Sequence, residues 1–230
     1  MSFLYIKSEN KYEKYYLHIR ILQRTFNKNF NVDSRMTKKI FSLNKILNKS
    51  KHKKLFLYGT FSFKEDDTVL KINKNIENLY LDSFHPILSK KQLQFLFDSI
   101  EKSQINTLKL KNMNISDEFF SIFHLLKNNN TIISLYLSCN KLSSVSVLFI
   151  IRSLITNFTL KNLFIQENEN IEDIYENEIN MIFMYNYSIL ELKLNCSKII
   201  ETIIEKYLIR NKHNTKQKDQ SLFESLLFIL

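Results

Sequence analysis

The sequence predicts an α/β solenoid in which short parallel strands form one layer and helices form the other. Three observations support this fold class. An apolar template, L-x-x-L-x-L-x-x-N-x-L, recurs at intervals of 27 to 29 residues. Apolar residues spaced by three and four, as in a helix, separate successive copies. Each unit is too short to bury its own apolar face, so neighbouring units must stack to form a continuous core.

Four copies fit the template closely, one begins upstream at Ile76, and a degenerate one contains Leu55. Because alternate residues of a strand point to opposite faces, the template leucines are expected to face the core. The units span residues 55–212 and amount to about five or six repeats. The central leucines of the four clear copies are Leu108, Leu135, Leu163 and Leu192.

These units resemble the leucine-rich repeat family, and their period is similar to that of its ribonuclease-inhibitor-like branch. The segments 126–131 and 154–159 match the return from helix to strand in that branch. The resemblance implies a curved parallel sheet inside an arc of helices. Met113 and Ser197 replace the template asparagine, so we expect their turns to use other hydrogen-bonding groups. Because the chain has one glycine, Asn128–Asn130 is expected to supply a left-handed helix cap.

The N-terminal quarter differs in charge from the rest of the chain. Residues 1–54 contain 14 Lys and Arg and 3 acids, a net charge of +11, whereas residues 55–230 contain 19 and 20, a net of −1. Apolar spacing predicts an amphipathic helix from Tyr12 to Asn29 and a second helix over residues 34–48. The sequence therefore predicts a basic helical N-terminal arm or cap over residues 1–54.

Two interpretations of this basic arm remain open. It is either an N-terminal cap with a solvated basic face or a surface that contacts nucleic-acid phosphate or an acidic protein. No motif that reads bases is present, so any contact with RNA would be directed at the backbone and weakened by salt. The candidate nucleic-acid contacts are Lys38, Lys39, Lys45, Lys49, Lys51, Lys53 and Lys54.

At the other end, residues 213–230 are predicted to form a loop and a capping helix. The polar segment 211–220 suggests the loop, and Ser221 is suited to cap a helix whose apolar residues would cover the open end of the core. The terminal apolar run is about half the length that a membrane-spanning helix requires. We therefore expect no membrane partner.

The template also predicts a ladder of side chains that point away from the core. Aromatic residues and lysines dominate it, which is typical of a protein-binding surface on the concave side of the arc. The rings are equally expected to stack on each other and stabilise the sheet. The candidate partner-binding residues are Phe56, Tyr58, Tyr80, Lys109, Lys111, Tyr136, Phe164 and Lys193.

The sequence gives no indication of catalysis. The five histidines occupy unrelated template positions, and Cys139 and Cys196 lack the spacing of a metal site or a disulfide framework. We therefore expect no catalytic residues, metal or cofactor, and a reduced intracellular location, cytoplasmic or nuclear. The leading hypothesis is a non-enzymatic scaffold that binds a protein on the concave face. The alternative is an accessory ribonucleoprotein subunit, associated with the ribosome, that docks through residues 1–54; leucine-rich GTPase-activating proteins are a further analogy that rests on fold alone.

Overall fold

A computed structural model describes residues 4–7, 16–21, 53–58, 72–82, 90–116, 121–170 and 175–227. In these ranges eight strands form one sheet, and their order in the sheet follows their order in the chain. The first two strands pair antiparallel, and all later neighbours are parallel. The strands are β1 Leu4–Lys7, β2 Tyr16–Ile21, β3 Lys54–Tyr58, β4 Asn78–Asp82, β5 Thr107–Lys111, β6 Ser134–Tyr136, β7 Asn162–Phe164 and β8 Glu191–Lys193.

Helices connect the later strands and pack on one face of the sheet. A 3-10 helix, Ser153–Ile155, continues the third of them. The helices contribute residues such as Leu126, Ile151 and Ile182 to the same buried core as the strand leucines. The protein is therefore a mixed α/β structure with a layer of helices on a largely parallel sheet. The helices are α1 Lys90–Glu101, α2 Ser121–Asn128, α3 Ser144–Arg152, α4 Glu176–Tyr185 and α5 Lys198–Leu227.

The predicted leucine register is confirmed. Leu108 pairs in register with Leu135, Leu135 with Leu163, and Leu163 with Leu192. The first three of these side chains are fully buried, and Leu192 is 6% exposed. The repeated template therefore does form neighbouring parallel strands whose leucines face the helices.

Buried asparagines connect one helix-to-strand return to the next. The amide nitrogen of Asn157 donates to the carbonyl oxygens of Leu126 and Asn129, at 2.6 and 3.2 Å. Its side-chain oxygen accepts from the backbone N–H groups of Thr159 and Leu160, at 3.0 and 2.9 Å. One side chain thus satisfies four backbone groups that lie beyond the reach of the helix and strand ladders. The members of this asparagine series are Asn129, Asn157, Asn186 and Asn211.

Left-handed backbone occurs after the strands and not at the predicted helix end. The expectation that Asn128–Asn130 would form a left-handed cap is wrong, because Asn129 acts through its side chain. Its oxygen accepts from the backbone N–H of Ile132 at 2.7 Å, so the return needs no left-handed residue. The described non-glycine residues with a positive φ are Asn112, Asn114, Cys139 and Glu167, at 53° to 59°.

The turn at Met113 uses a group from the following repeat, as expected for a position without the template asparagine. The side-chain oxygen of Asn140 accepts from the backbone N–H groups of Met113 and Ile115, at 3.0 and 3.2 Å. The amide nitrogen of Asn140 donates to the carbonyl oxygens of Leu110 and Leu137, both at 2.8 Å. A single template asparagine therefore stabilises two successive turns.

The predicted helix from Tyr12 to Asn29 is wrong over Tyr16–Ile21, which form β2 in parallel with β3. Leu17 and Ile19 occupy the register positions of Leu55 and Leu57. Apolar residues alternate along this segment, and pairing with β3 satisfies its backbone groups, so the period of two prevails over the spacing of three and four. The boundary at residue 54 therefore does not separate an arm from the sheet. The helix predicted over residues 34–48 lies outside the described residues.

The predicted loop over 211–220 is also wrong, because α5 runs without interruption from Lys198 to Leu227. The segment is polar, but it contains neither Gly nor Pro, and its Lys and Gln residues are good helix formers. The start of the helix is fixed at Ser197, whose carbonyl oxygen accepts from the N–H of Glu201 at 3.0 Å. Polarity alone therefore did not indicate a break in the helix.

Arg210 on α5 contacts the C-terminal end of α4. Its guanidinium donates to the carbonyl oxygens of Phe183 and Asn186, at 2.9 and 2.7 Å. The same group lies over the rings of Tyr187 and Tyr207, at 3.9 and 4.8 Å from their centroids. The last carbonyl groups of α4 thus have a charged donor, which favours the negative end of the helix dipole.

Candidate functional site

The predicted ladder is present on the sheet face opposite the helices. Backbone pairing places its six members in register on six consecutive strands. Along β4 and β5 each ladder residue stands between two buried leucines, so the ladder residues face away from the core. We call this row the ladder. Its members are, in order, Phe56, Tyr80, Lys109, Tyr136, Phe164 and Lys193.

The four rings of the ladder form two stacked pairs. Phe56 and Tyr80 lie with centroids 4.2 Å apart and planes inclined by 12°. Tyr136 and Phe164 lie 4.3 Å apart and are inclined by 2°. All four residues are partly exposed. The predicted stacking is therefore confirmed, and the stacked rings still form part of the surface.

Lysines separate and end the ring pairs. Lys109 is in register with Tyr80 on one side and Tyr136 on the other, while Lys193 follows Phe164. Partial burial, and then the charge of Glu191, raise the pKa of Tyr136 above its ordinary value, so this ring is neutral at physiological pH. The ladder thus consists of neutral aromatic surface interrupted by positive charge.

A polar cluster lies beside the ladder where the strands end. Lys111 is in register with Asp82, whose carboxylate accepts from the amide of Asn112 at 2.7 Å. The thiol of Cys139 donates to the carboxylate of Glu167. Burial and then this hydrogen bond raise the pKa of the Cys139 thiol, and the charge of Lys111 opposes them. The cluster favours a protonated, weakly nucleophilic thiol.

The structure describes only some of the other residues that the sequence predicts to contact a partner. Tyr58 ends β3 in register with Asp82, and its side chain is outside the described atoms. Lys53 forms an ion pair with Glu77 at 2.6 Å, and Lys54 begins β3. The structure therefore brings Lys53 and Lys54 to the sheet and does not test a basic surface. The other predicted basic contacts, Lys38, Lys39, Lys45, Lys49 and Lys51, lie outside the described residues.

Sequence reasoning missed a second exposed apolar surface at the end where the strands begin. Phe158 follows Asn157 of the asparagine series, and Tyr187 follows Asn186 at the equivalent position of the next repeat. Both side chains are more than half exposed, at 55% and 53%. Met184 on α4, three residues before Tyr187, is 54% exposed. An aromatic residue follows the buried asparagine in these two repeats, and alignment of the two repeats would have shown it.

The described residues contain no group of three or more His, Cys, Asp or Glu side chains arranged to hold a metal ion. His124 is exposed on α2, and His213 is exposed on α5. Cys139 and Cys196, both of which the structure describes, are not joined in a disulfide. Within the described ranges, none of the helices combines the length and the apolar character needed to cross a bilayer.

The fold of the chain is similar to that of two solved structures. A structure of leiomodin-1 actin-binding site 2 superposes with a TM-score of 0.54 at 22% identity, covering 70% of this chain and 90% of that one. The fold is leucine-rich-repeat-like. The tropomodulin C-terminal domain of Caenorhabditis elegans superposes with a TM-score of 0.53 at 18% identity, covering 58% of this chain and 83% of that one. No protein-family model and no curated protein sequence matches the chain.

Proposed function

We propose that the chain is a non-enzymatic, intracellular protein-binding module, a leucine-rich-repeat solenoid of the ribonuclease-inhibitor-like type that holds a protein partner on the ladder. The observation that carries the proposal is the alignment of two stacked ring pairs and two lysines across six consecutive strands. Aromatic residues bury a large area for little loss of side-chain entropy, so they dominate the energy of many interfaces.

The structural neighbours support a protein partner. The leiomodin-1 structure is described as an actin-binding site. At 22% identity this likeness concerns the fold, and it gives a precedent for a leucine-rich-repeat-like domain that binds a protein. The ribonucleoprotein alternative finds no support in these neighbours. Lys53, one of the lysines on which that alternative rested, is paired with Glu77.

The proposal is tested by capture of native partners on the immobilised full chain. A variant with Tyr136→Ala and Phe164→Ala removes one ring pair from the ladder. The matched control, Phe158→Ala with Tyr187→Ala, removes two exposed rings from the other end of the strands. Circular dichroism and the unfolding midpoint show whether each variant remains folded.

We expect mass spectrometry to identify a protein that the wild-type chain and the control retain and that the ladder variant loses. Filamentous actin is tested directly as one candidate by co-sedimentation. Equal retention by the folded ladder variant and the wild-type chain would refute the ladder as the binding surface. Loss only in the Phe158 and Tyr187 variant would move the function to the other surface.

A further inference from the structure

The two lysines of the ladder lie three strands apart. Lys193 on β8 and Lys109 on β5 are separated by the Tyr136 and Phe164 pair. The Phe56 and Tyr80 pair follows, and the next register position, on β2, is His18. The ladder therefore has one ring pair between its two lysines and a second ring pair beyond Lys109, and the register position of His18 lies one strand beyond the ladder.

The stacking decides which part of the rings a ligand can reach. Tyr136 and Phe164 cover each other's facing surfaces, because their planes are only 2° from parallel at a centroid separation of 4.3 Å. A nucleic-acid base stacks on an open ring face. The side of the ring pair that points away from the core is instead formed by ring edges, which carry partial positive charge. This surface favours an apolar side chain or an anion over an intercalated base.

The spacing of the basic positions matches an extended peptide. Neighbouring strands lie about 4.8 Å apart, so Lys109 and Lys193, three strands apart, are separated by about 14 Å along the ladder. An extended chain advances about 3.3 Å per residue, so residues i and i+4 are about 13 Å apart. Residues i, i+2 and i+4 of such a chain point to the same side. Acidic residues at i and i+4 would meet the two lysines, and an apolar residue at i+2 would meet the ring pair.

The charges of this face are complementary to such a ligand. At the outward positions of β3 to β8 the charged residues are four lysines and two acids, a net charge of +2. One of the acids, Asp82, already accepts from Asn112. The four lysines are Lys54, Lys109, Lys111 and Lys193, and the acids are Asp82 and Glu191.

We propose that the ladder recognises an extended acidic peptide with the pattern acidic-x-apolar-x-acidic, which lies across the strands from β5 to β8. This inference rests on the proposed function and names the chemistry of the partner segment. The second ring pair extends the same pattern to a second apolar residue over Phe56 and Tyr80. A nine-residue segment with acids at its first, fifth and ninth positions would then span the ladder and reach the register position of His18 on β2.

The probe is a fluorescein-labelled peptide, Glu-Ser-Phe-Ser-Glu-Ser-Phe-Ser-Glu, titrated with the full chain at low salt and followed by fluorescence anisotropy. A peptide of the same composition with its three acids adjacent tests the spacing. A second variant, the lysine variant, carries Lys109→Met and Lys193→Met. The matched control is Lys127→Met, which removes an exposed charge from the last turn of α2.

We expect the patterned peptide to bind more tightly than the rearranged one. We expect loss of both lysines to weaken binding about fivefold, which corresponds to about 1 kcal/mol in total and so to about 0.5 kcal/mol for each exposed ion pair. The Lys127→Met control should bind like the wild-type chain. Weaker binding in 0.5 M salt would agree with the ion pairs.

Several outcomes would overturn the inference. These are failure of the patterned peptide to bind, equal binding of the two peptides, and unchanged affinity in the folded Lys109 and Lys193 variant. Tighter binding of a nine-nucleotide oligouridylate than of the peptide would assign the face to nucleic acid. If these tests fail while Tyr136→Ala with Phe164→Ala still abolishes capture of the protein partner, the proposed function stands and only the peptide pattern falls.

Discussion

Tyr136 and Phe164 lie on neighbouring strands with their ring planes nearly parallel and their centroids 4.3 Å apart. Both residues are partly exposed, so the pair stabilises the sheet and also forms surface. The two interpretations of the aromatic ladder, as sheet stabilisation and as a binding surface, therefore do not compete. They differ in what a substitution changes, since the first affects the free energy of unfolding and the second affects affinity.

The stacked pair should show energetic coupling. Tyr136→Ala and Phe164→Ala are each expected to lower the free energy of unfolding, and the double variant should lose less than the sum of the two. Stacking contributes about 1 kcal/mol beyond the buried area, which sets the expected coupling energy. Urea denaturation of the four proteins in the cycle measures it.

A second cycle with Phe56→Ala and Phe164→Ala is the control. These residues lie four strands apart, so their effects should add to within about 0.5 kcal/mol. A coupling energy near zero in the Tyr136 and Phe164 cycle would contradict a stabilising role of the stack.

Asn157 should be far more sensitive to substitution than its polar character suggests. Asn157→Ala leaves the carbonyl groups of Leu126 and Asn129 and two N–H groups of the following return without their partner. Unsatisfied buried groups cost about 1 to 3 kcal/mol each, and with partial relaxation we expect a total loss of about 3 kcal/mol. The unfolding midpoint in urea measures this loss, and exposed Asn130→Ala is the control. Equal, small effects of the two substitutions would show that the asparagine series does not stabilise the stack.

The sheet and the ladder were predictable because they depend on a local, repeated pattern. Alternation along each strand fixes which residues face the core, and the recurring template leucines fix the register, as the pairing of Leu108 with Leu135 shows. The distance between two rings depends on side-chain torsions and local sheet twist. Template alignment therefore predicted that Tyr136 and Phe164 are neighbours but not that they stack at 2°.

The features that were predicted wrongly or not at all depend on contacts between residues far apart in the sequence. The segment from Tyr16 to Ile21 fits both a helical and an alternating pattern, and its pairing with β3, more than 30 residues later, decides between them. The hydrogen bond between Cys139 and Glu167 likewise joins two repeats. A local pattern does not contain this information unless equivalent positions of the repeats are compared.

The continuity of α5 can be tested by a proline substitution within residues 211–220, which the sequence predicts to be a loop. His213→Pro removes a backbone N–H within the helix and places the proline ring against the preceding turn, at a cost of about 3 kcal/mol. We expect loss of helical circular dichroism and faster amide exchange after residue 209. His213→Ala is the control, because the side chain is exposed. A proline variant with the helicity and stability of the wild-type chain would show that this segment is a loop.

The reactivity of Cys139 should respond in opposite directions to its two charged neighbours. Burial comes first among the causes that raise its pKa, followed by the hydrogen bond to Glu167, whereas Lys111 lowers it. Removing the carboxylate with Glu167→Gly takes away part of the upward shift, and glycine suits the left-handed backbone there, at φ 59°. The pKa should then fall, and the thiolate fraction at pH 8 should rise.

Lys111→Met removes the downward contribution, so the pKa of Cys139 should rise further and its thiolate fraction at pH 8 should fall. In a Cys196→Ser background, the rate of iodoacetamide alkylation from pH 7 to 10, followed by mass spectrometry, reports on this thiol alone, because only the thiolate reacts. The rate profile should move to lower pH in the Glu167 variant and to higher pH in the Lys111 variant. Unchanged profiles in both variants would mean that burial alone sets the pKa of Cys139 and that the charges of Lys111 and Glu167 do not act on the thiol.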